Sequence, residues 1–416
     1  MPSSLRSPVW LTAVLAVALA ARLVAAVVVD RIVSATPGRV CLIDGDAEGY
    51  WLLAGHIAAG DDYAVYEPPR RILRMPGLPA ILAGCRLVFS DEKLPARCML
   101  AVIGAAGCGC VYWLGCELVG PEVGLIAAAA TAVSPALIVF SPLLLSESSF
   151  ATAMTAALIP MVKLLKIRGD GTPRLLSALS AGPLCAIATY LRPTWLPVPI
   201  LAAGLIVLVG RFRPARWIEA VVLLAAFGVA YFPWVWRNHA VSGHWVITTL
   251  WVGPSLYDGL SPTATGDSDM TFFDEENLLG RMSEYEMDQD YRRRAWAFVA
   301  ENSGRTLVLA AIKAGRYWSP LPNAEQFAQP LVKFGLLVAT LPLYLFAAIG
   351  LWTHRRDWRL WLATLGPAVF FCAVHMLFVG SIRYRLPAEM PLWILAAAGV
   401  VAVCPRWFVH GREAPS

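Results

Sequence analysis

Apolar stretches long enough to cross a lipid bilayer recur along most of the chain, separated by short polar connections. The hydrocarbon core of a membrane is roughly 30 Å thick, so one crossing needs about 20 mainly apolar residues in a helix. This criterion predicts ten membrane-spanning helices, at 9–29, 97–119, 122–140, 143–165, 174–191, 194–210, 216–236, 331–352, 359–379 and 387–404. The apolar stretch at 77–89 is too short to cross and is expected to lie at the membrane interface.

Composition agrees with this pattern. Of 416 residues, 58% are hydrophobic and only 15% are charged, whereas soluble chains carry about 25% charged residues. The net charge of +5 is spread over many loops without a basic run, which gives nucleic-acid binding no support. Nine cysteines, most of them in apolar stretches, lack metal-ligand spacing, so neither a disulfide framework nor a zinc site is indicated.

Positive charge in the short loops predicts the orientation in the membrane. Basic residues of short loops remain on the cytoplasmic side. Four groups stand out: Lys163, Lys166, Arg168 and Arg174; Arg211, Arg213 and Arg216; Arg355, Arg356 and Arg359; and Arg406 with Arg412. Ten crossings put all four groups on the cytoplasmic side, with both termini inside. The active surface of the protein is then expected on the extracytoplasmic face of the inner membrane.

Three regions follow from this topology. Residues 1–237 form an N-terminal transmembrane module, interrupted by a first outer loop at 30–76. Residues 238–330 form a second, helical outer loop, and residues 331–416 supply the C-terminal transmembrane helices and a cytoplasmic tail. Apolar residues scattered among charges in the second loop predict amphipathic helices on the membrane or over a cavity. The fold class is therefore an all-α polytopic membrane protein.

Carboxylates gather at the predicted outer surface. The segment "LIDGDAEGYW" at 42–51 carries Asp44, Asp46 and Glu48. Asp46 stands at the start of a predicted helix, where it serves either as an N-cap or as a functional acid. Glu147 lies just inside the outer end of a span, where an ionisable side chain indicates function unless it forms a structural ion pair.

Arginines are placed at the same outer surface. They are Arg70, Arg71 and Arg74 in the first loop, and Arg192, Arg237, Arg383 and Arg385 at helix ends. The guanidinium fork matches phosphate geometry, so arginines beside carboxylates predict an anion site next to a base. The alternative is that some of them extend to lipid headgroups. No metalloprotease, serine-hydrolase or phosphate-loop motif occurs, and His56 and His375 are isolated.

The order of several short motifs resembles a known class of membrane enzyme. These motifs are "DAEGYWLLAGHIAAG", "RMPGLPAILAG", "SPALIVFSPLLLSESSF", "YLRPT", "PWVWRNHAVSGHW", "SLYDGLSP" and "RYRLPAEMPLWILAAAGV". Together they resemble the GT-C class of glycosyltransferases, over roughly the whole chain. The chain looks most like the bacterial branch related to protein O-mannosyltransferases and lipid A aminoarabinose transferases.

The resemblance implies inverting transfer of a sugar from a polyprenyl-phosphate donor to a protein, lipid or glycan acceptor. It implies a catalytic role for Asp46, four residues before Tyr50, with Asp44 as the second candidate and Glu147 as the further acid. Donor phosphate binding is expected from Arg74, Arg192, Arg237, Arg383 and Arg385, and acceptor or sugar binding from Tyr50 and Tyr257. The acids of this first loop are separated by Gly45 and Ala47, whereas the O-mannosyltransferases have an adjacent acidic pair, so the acceptor stays open.

Two questions remain open at the level of sequence. Glu147 either orients the acceptor or shares a divalent cation with Asp46, because hard cations favour carboxylate oxygens. The competing functions are a glycan ligase or polymerase that uses a lipid-linked donor, and a transporter or lipid flippase. A transporter usually binds at the membrane midplane between repeats, whereas these charges gather at one surface.

Overall fold

A computed structural model of the protein describes residues 8–36, 39, 41–42, 45–166, 172–322 and 329–404. Within these ranges the fold is helical, and the only β-type pairing is an isolated bridge between Val65 and Arg70. The helices are α1 Pro8–Ser34, α2 Asp46–Ala59, α3 Gly77–Phe89, α4 Lys93–Leu118, α5 Pro121–Val133, α6 Pro135–Phe140, α7 Ser146–Leu165, α8 Thr172–Leu191, α9 Pro197–Val209, α10 Pro214–Ser242, α11 Val252–Gly259, α12 Thr271–Glu276, α13 Glu284–Glu301, α14 Ser303–Trp318, α15 Pro330–Thr353, α16 Trp358–Thr364, α17 Gly366–Leu377 and α18 Ile382–Val403.

Each of the ten predicted crossings coincides with a helix or a broken pair of helices. Within the described ranges, seven helices are long and apolar enough to span a membrane, namely α1, α4, α7, α8, α10, α15 and α18. An eighth crossing is reached if α16 and α17, which are bent by 48° relative to each other, form one span. Helix α5 and the apolar segment Pro193–Val209 are shorter. The all-α polytopic membrane fold is confirmed, whereas the number of ten crossings is not.

Helices α7 and α18 are the most enclosed spans of the bundle. Helix α18 packs on α15, α5, α7 and α17. Its contact with α15 depends on glycine, because a Cβ atom on Gly399 would lie 2.0 Å from the carbonyl oxygen of Phe346. Small residues let two membrane helices approach closely, since their association depends on packing rather than on the hydrophobic effect. This contact fixes α18, whose first turn carries a residue of the candidate site.

Arg22 lies within the first span and is fully buried. Its guanidinium donates to the carbonyl oxygens of Thr131 and Ala132 at the end of α5, each at 3.1 Å. Its Nε donates to the Ser141 hydroxyl, also at 3.1 Å. The break between α5 and α6 leaves carbonyl groups without helical partners, and Arg22 satisfies them inside the membrane. This arginine therefore stabilises a helix break.

Two short connections, α7–α8 and α9–α10, meet at one end of the bundle. Arg174 lies in the first turn of α8, and Arg216 lies in the first turn of α10. Both pair with Glu219, at 2.7 and 3.0 Å. Both arginines also donate to the carbonyl oxygens of Leu164 and Lys166 at the end of α7. Because α7 has 20 residues and a helix rises about 1.5 Å per residue, its first residue lies about 30 Å away, at the opposite end.

The two long loops contact each other at that opposite end. The Glu284 carboxylate of α13 accepts hydrogen bonds from the backbone N–H groups of Arg71 and Ile72, at 2.9 and 3.2 Å. The N–H of Leu250 donates to the Ile72 carbonyl oxygen at 2.9 Å. Helix α14 is amphipathic. Its Leu307 is exposed, whereas Leu309, Lys313 and Tyr317 are buried. The second loop thus holds the segment of the first loop that leads to Arg74.

Candidate active site

Asp46 is the first residue of α2, and its carboxylate contacts two arginines. Gly45, with a positive φ of 81°, occupies the N-cap position, and no side chain caps the helix. The interpretation of Asp46 as an N-cap is therefore wrong. Its Oδ1 lies 2.6 Å from Nη2 of Arg74, and its Oδ2 lies 2.9 Å from Nη2 of Arg383. The side chain remains 32% exposed, so a ligand can reach it from the solvent.

Glu147 occupies the second position of α7 and is fully buried. Its Oε1 accepts hydrogen bonds from Nη2 of Arg192, at 2.6 Å, and from Nε of Arg383. Arg192 also donates through Nε to the Ser146 hydroxyl at 3.2 Å. Within the described ranges Oε2 of Glu147 is buried without a hydrogen-bond partner. Glu147 therefore holds two arginines side by side at the end of the bundle.

These contacts form one continuous cluster of alternating charge, here called the charge cluster: Arg74, Asp46, Arg383, Glu147 and Arg192. Arg383 is its centre, because it contacts both carboxylates. Three guanidinium groups against two carboxylates leave an excess of positive charge. Such an arrangement suits an anionic ligand, because guanidinium groups form paired hydrogen bonds with phosphate oxygens.

Aromatic rings pack against the arginines of the charge cluster. The Arg192 guanidinium lies 6.0 Å from the ring centre of Phe150 and 5.6 Å from that of Tyr384. Arg74 lies 5.5 Å from the ring centre of Tyr50. Ring faces attract cations, and rigid rings restrict the rotamers of these long side chains. Tyr50 thus contacts the site through Arg74.

The surroundings of Asp46 hold its carboxylate in the charged form. Burial by itself raises the pKa of the carboxyl group, but the neighbouring Arg74 and Arg383 outweigh burial and hold the pKa below its ordinary value. The partner Arg74 shows the complementary effect, since burial lowers its pKa and Asp46 raises it, with a net increase. Asp46 and Arg74 are therefore both charged at neutral pH.

Arg237 does not join the charge cluster. Its Nη1 donates to the Arg71 carbonyl oxygen at 2.6 Å, and its Nη2 donates to that of Tyr63 at 3.2 Å. Its guanidinium also lies 5.1 Å from the ring centre of Tyr63. In this structure Arg237 therefore binds the backbone of the first loop. The sequence predicted that it binds the donor phosphate.

Arg385 also lies apart from the charge cluster, and only 3% of it is exposed. It pairs with Glu389 at 2.9 Å. Its Nη1 donates to the carbonyl oxygens of Tyr317 and Ser319, at 2.8 and 2.7 Å. These contacts tie α18 to the end of α14, so in this structure Arg385 binds protein groups and its role towards the donor phosphate stays a prediction.

Two further predicted residues lie elsewhere. Tyr257 belongs to α11 and packs against Phe272 and Tyr291, with ring centres 5.0 and 5.5 Å apart. It is part of the aromatic packing inside the second loop. Asp44, the second candidate for the base, lies outside the described residues.

The charge cluster does not match a divalent cation site as it stands. Such cations take several oxygen ligands, and no group of three or more His, Cys, Asp or Glu side chains comes together in the described ranges. Asp46 and Glu147 are separated by the Arg383 guanidinium that contacts both. A positive charge between two carboxylates disfavours a cation at the same point.

Two members of this environment, Ser146 and Tyr384, have no local signal in the sequence. Ser146 precedes Glu147 and binds Arg192. Tyr384 lies between two candidate arginines and stacks on His375 with ring centres 4.0 Å apart. Each contact depends on how two consecutive helices pack, α7 against α8 and α17 against α18, so the hydrophobic pattern of the sequence does not reveal it.

The chain is similar to solved membrane enzymes. No protein-family model matches it, and no curated protein matches it. The oligosaccharyltransferase AglB of Archaeoglobus fulgidus, in complex with an inhibitory peptide and a dolichol-phosphate, superimposes with a TM-score of 0.52 and 14% identity. That match covers 98% of this chain and 53% of the oligosaccharyltransferase, so the chain spans about half the length of that protein.

A second similar structure is ArnT of Cupriavidus metallidurans bound to undecaprenyl phosphate, with a TM-score of 0.47 and 14% identity. It covers 95% of this chain and 79% of ArnT. Both neighbours are GT-C glycosyltransferases. The superposition on the oligosaccharyltransferase, with a TM-score above 0.5, shows that the chain has the GT-C fold of multi-pass membrane proteins, as the order of its motifs predicts.

Proposed function

We propose that this protein is an inverting glycosyltransferase that moves a sugar from a polyprenyl-phosphate donor to an acceptor hydroxyl. The observation that carries the proposal is the charge cluster at one end of a GT-C fold, where a partly exposed carboxylate contacts two arginines and a buried carboxylate holds a third beside them. The similarity to an oligosaccharyltransferase that holds a dolichol-phosphate supports the choice of donor. The charge of the short loops supports an active site on the extracytoplasmic face of the inner membrane.

The donor phosphate binds through Arg74 and Arg383. Their side chains are 19% and 20% exposed, so both are within reach of a ligand at the surface. Both now contact Asp46, and a phosphodiester with one negative charge competes with that carboxylate for the same guanidinium groups. Arg192 lies deeper, with 12% exposure, and adds positive charge behind them.

Transfer then follows as a single displacement. The acceptor oxygen attacks the anomeric carbon while Asp46 accepts the hydroxyl proton, and the bond between that carbon and the phosphate oxygen breaks. The electron pair remains on the phosphate, which changes from a diester with one negative charge to a monoester with two. The arginines stabilise this additional charge as it develops. One displacement inverts the anomeric centre and needs no covalent intermediate.

Donor binding also prepares the base. While Arg74 and Arg383 both contact Asp46, its pKa is held low and the carboxylate is a weak proton acceptor. When the phosphate draws the arginines to itself, the pKa of Asp46 returns towards its ordinary range. Asp46 thus becomes a better base when the donor is in place.

Glu147 acts as a positioning residue in this scheme. It is fully buried, so it does not reach an acceptor at the surface, and its Oε1 holds Arg192 and Arg383. Removal of its charge would leave two close guanidinium groups without their shared counter-ion. Its effect on transfer therefore passes through the arginines.

A donor assay with detergent-purified protein tests the proposal. The donors are undecaprenyl phosphates that carry single hexoses or pentoses, with a membrane extract as the source of acceptors, and the product measured is released undecaprenyl phosphate. The expected result is release that depends on the protein with at least one donor. Absence of release with every donor, together with movement of the intact lipid across proteoliposomes, would assign the protein to lipid transport instead.

A further inference from the structure

A tight turn of the first loop presents an exposed tyrosine. Val65 and Arg70 pair through two backbone hydrogen bonds, of 3.2 and 2.9 Å, and close a turn that begins with Tyr66. Tyr66 has a positive φ of 66° although it is not glycine, and 43% of it is exposed. A bulky residue in this backbone conformation is strained, and such strain persists only where surrounding contacts enforce it.

Arg70 supplies such a contact. Its guanidinium lies 4.9 Å from the ring centre of Tyr66, 5.4 Å from that of Trp251 and 4.7 Å from that of Phe273. Within the described ranges Arg70 forms no ion pair, and its buried Nε has no hydrogen-bond partner. Three rings from both long loops therefore hold this cation, and the cation in turn fixes the ring of Tyr66.

Tyr66 stands beside the charge cluster. Its hydroxyl oxygen lies 3.3 Å from the point where a Cβ atom on Gly49 would be. Gly49 follows Asp46 by three residues in α2, and residues with this spacing are neighbours on one face of a helix, about 5–6 Å apart. Tyr66 is also among the groups that raise the pKa of Arg74. The exposed ring thus lies near both Asp46 and Arg74.

We propose that the ring of Tyr66 is a stacking surface for the sugar of the lipid-linked donor. This inference rests on the proposed function and extends it to a subsite for the transferred group. The sugar is joined directly to the phosphate, so it must lie within a few ångströms of Arg74 and Asp46. A sugar ring presents a face of C–H groups, which packs well on a flat aromatic surface.

The other tyrosines predicted for this role fit it less well. An arginine packs on the rings of both Tyr50 and Tyr66, but Tyr50 is half-buried whereas 43% of Tyr66 is exposed. Tyr257 packs against rings inside the second loop. Tyr66 combines an exposed ring, a fixed orientation and a place next to the charge cluster. The rigid ring loses little conformational freedom when it binds, which favours affinity.

The test compares two lipids that differ only in the sugar. The probes are undecaprenyl phosphate alone and undecaprenyl phosphates carrying a hexose or a pentose, and dissociation constants are measured with purified full-length protein. The variants are Tyr66→Gly, which removes the ring where the backbone favours glycine, and Tyr66→Phe, which retains the ring. Trp245→Ala is the matched control, because Trp245 is an exposed aromatic residue of the second loop outside the charge cluster.

We expect Tyr66→Gly to weaken binding of the preferred sugar-bearing lipid about 5–10-fold and to leave binding of undecaprenyl phosphate unchanged. Tyr66→Phe and Trp245→Ala should retain wild-type affinity for both lipids. Equal loss of affinity for both lipids in Tyr66→Gly, or wild-type affinity for both, would overturn the stacking role while the proposed function stands. Failure of the wild-type protein to bind either lipid would instead remove the proposed function.

Discussion

Arg383 and Arg385 lie two positions apart in α18 and have unrelated contacts. Successive residues of an α-helix are rotated by about 100°, so residues two apart point to nearly opposite faces. Arg383 faces the two carboxylates, and Arg385 faces Glu389 and the end of α14. Of the two, Arg383 is therefore the one that belongs to the charge cluster.

The role of Asp46 is tested by Asp46→Asn. The substitution keeps the shape of the side chain but removes the proton acceptor and the charge that holds two arginines. Turnover of a lipid-linked donor should fall by about 10²-fold or more, since general base catalysis contributes at least that much. The measurement is undecaprenyl phosphate released by folded, purified variants.

Asp62→Asn is the matched control for Asp46→Asn. Asp62 belongs to the same loop and pairs with an arginine, Arg71, at 2.6 Å, but outside the charge cluster. The Asp62→Asn variant should release undecaprenyl phosphate at a rate close to that of the wild type, as should Asp44→Asn. Wild-type turnover in Asp46→Asn together with an inactive Asp44→Asn variant would identify Asp44 as the general base.

The stability of the protein should also depend on Asp46 in acid. The folded-state pKa of this carboxyl group is held below its ordinary value of 3.8. The pairs with Arg74 and Arg383 therefore stabilise the fold fully above that pH, and this contribution is lost as the pH falls through the lower, folded-state pKa. The melting temperatures of wild type and Asp46→Asn should converge as the pH falls below about 4.

At the scale of elements, the second loop fixes the first. Arg237 holds the carbonyl oxygens of Tyr63 and Arg71 from one side, and Glu284 holds the N–H groups of Arg71 and Ile72 from the other. The segment between these anchors leads directly to Arg74. The position of the phosphate-binding arginine is thus set by helices α10 and α13, which lie far away in the sequence.

Arg237→Met tests this anchoring, because methionine fills a similar volume without donors. Two backbone carbonyl groups lose their partner, so amide hydrogen exchange should accelerate across residues 63–74. Loss of hydrogen bonds from a charged donor corresponds to about 10-fold faster exchange or more. Affinity for undecaprenyl phosphate should fall less than in Arg74→Ala. Unchanged amide hydrogen exchange together with a large loss of affinity for undecaprenyl phosphate would indicate that Arg237 binds the phosphate directly.

Lys313 joins the second loop to the membrane helices. It is fully buried in α14, and its Nζ donates to the carbonyl oxygens of Gly259, Met376 and Leu377, at 2.7, 3.2 and 3.1 Å. These oxygens belong to the last residues of α11 and α17, where carbonyl groups have no hydrogen-bond partner within their own helix. Burial lowers the pKa of Lys313 to about 8.

Lys313→Met should lower the melting temperature, with a loss of about 2 kcal/mol or more from the unpaired carbonyl groups. The folded-state pKa lies below the ordinary value of 10.5, so between pH 8 and 10.5 the unfolded chain holds the proton more strongly. Stability of the wild type should therefore rise with pH across this window, and that of Lys313→Met should not. A difference that stays constant with pH would show that Lys313 does not titrate there.

At the scale of the whole molecule, the two ends of the bundle differ in their charge pairs. One end contains the basic residues of short loops around Glu219, and the other contains the charge cluster and both long loops. The Lys166 ammonium also pairs with Glu117 at the end of α4, at 2.5 Å. From this arrangement the charge rule predicts that the charge cluster lies at the outer end.

Cysteine labelling in intact cells tests that orientation. With the exposed Cys404 replaced by Ser, an impermeant thiol reagent should modify Asp267→Cys in the second loop and should not modify Arg213→Cys before α10. Both positions are exposed. The reverse labelling pattern would invert the topology and place the charge cluster in the cytoplasm.

The sequence by itself determined which stretches form apolar helices and where the two long loops lie, and it nominated the main acids and arginines of the candidate site. These properties are local, because the length of an apolar stretch and the charge of a short loop need no knowledge of distant residues. Asp46, Glu147, Arg74, Arg192 and Arg383 could be proposed on that basis, supported by motif order. The break between α5 and α6, whose open carbonyl groups Arg22 satisfies, and the 48° bend between α16 and α17 were not predicted from the sequence.

Only the tertiary structure decided which arginine serves which partner. Arg383 meets Asp46 across 337 residues of sequence and Glu147 across 236, and no local pattern encodes such contacts. The same packing directs Arg237 and Arg385 to backbone carbonyl groups and places Tyr66 beside the site. An arginine forms its contacts with whichever acceptors surround it after the helices have packed, because its long side chain can point in many directions from one backbone position.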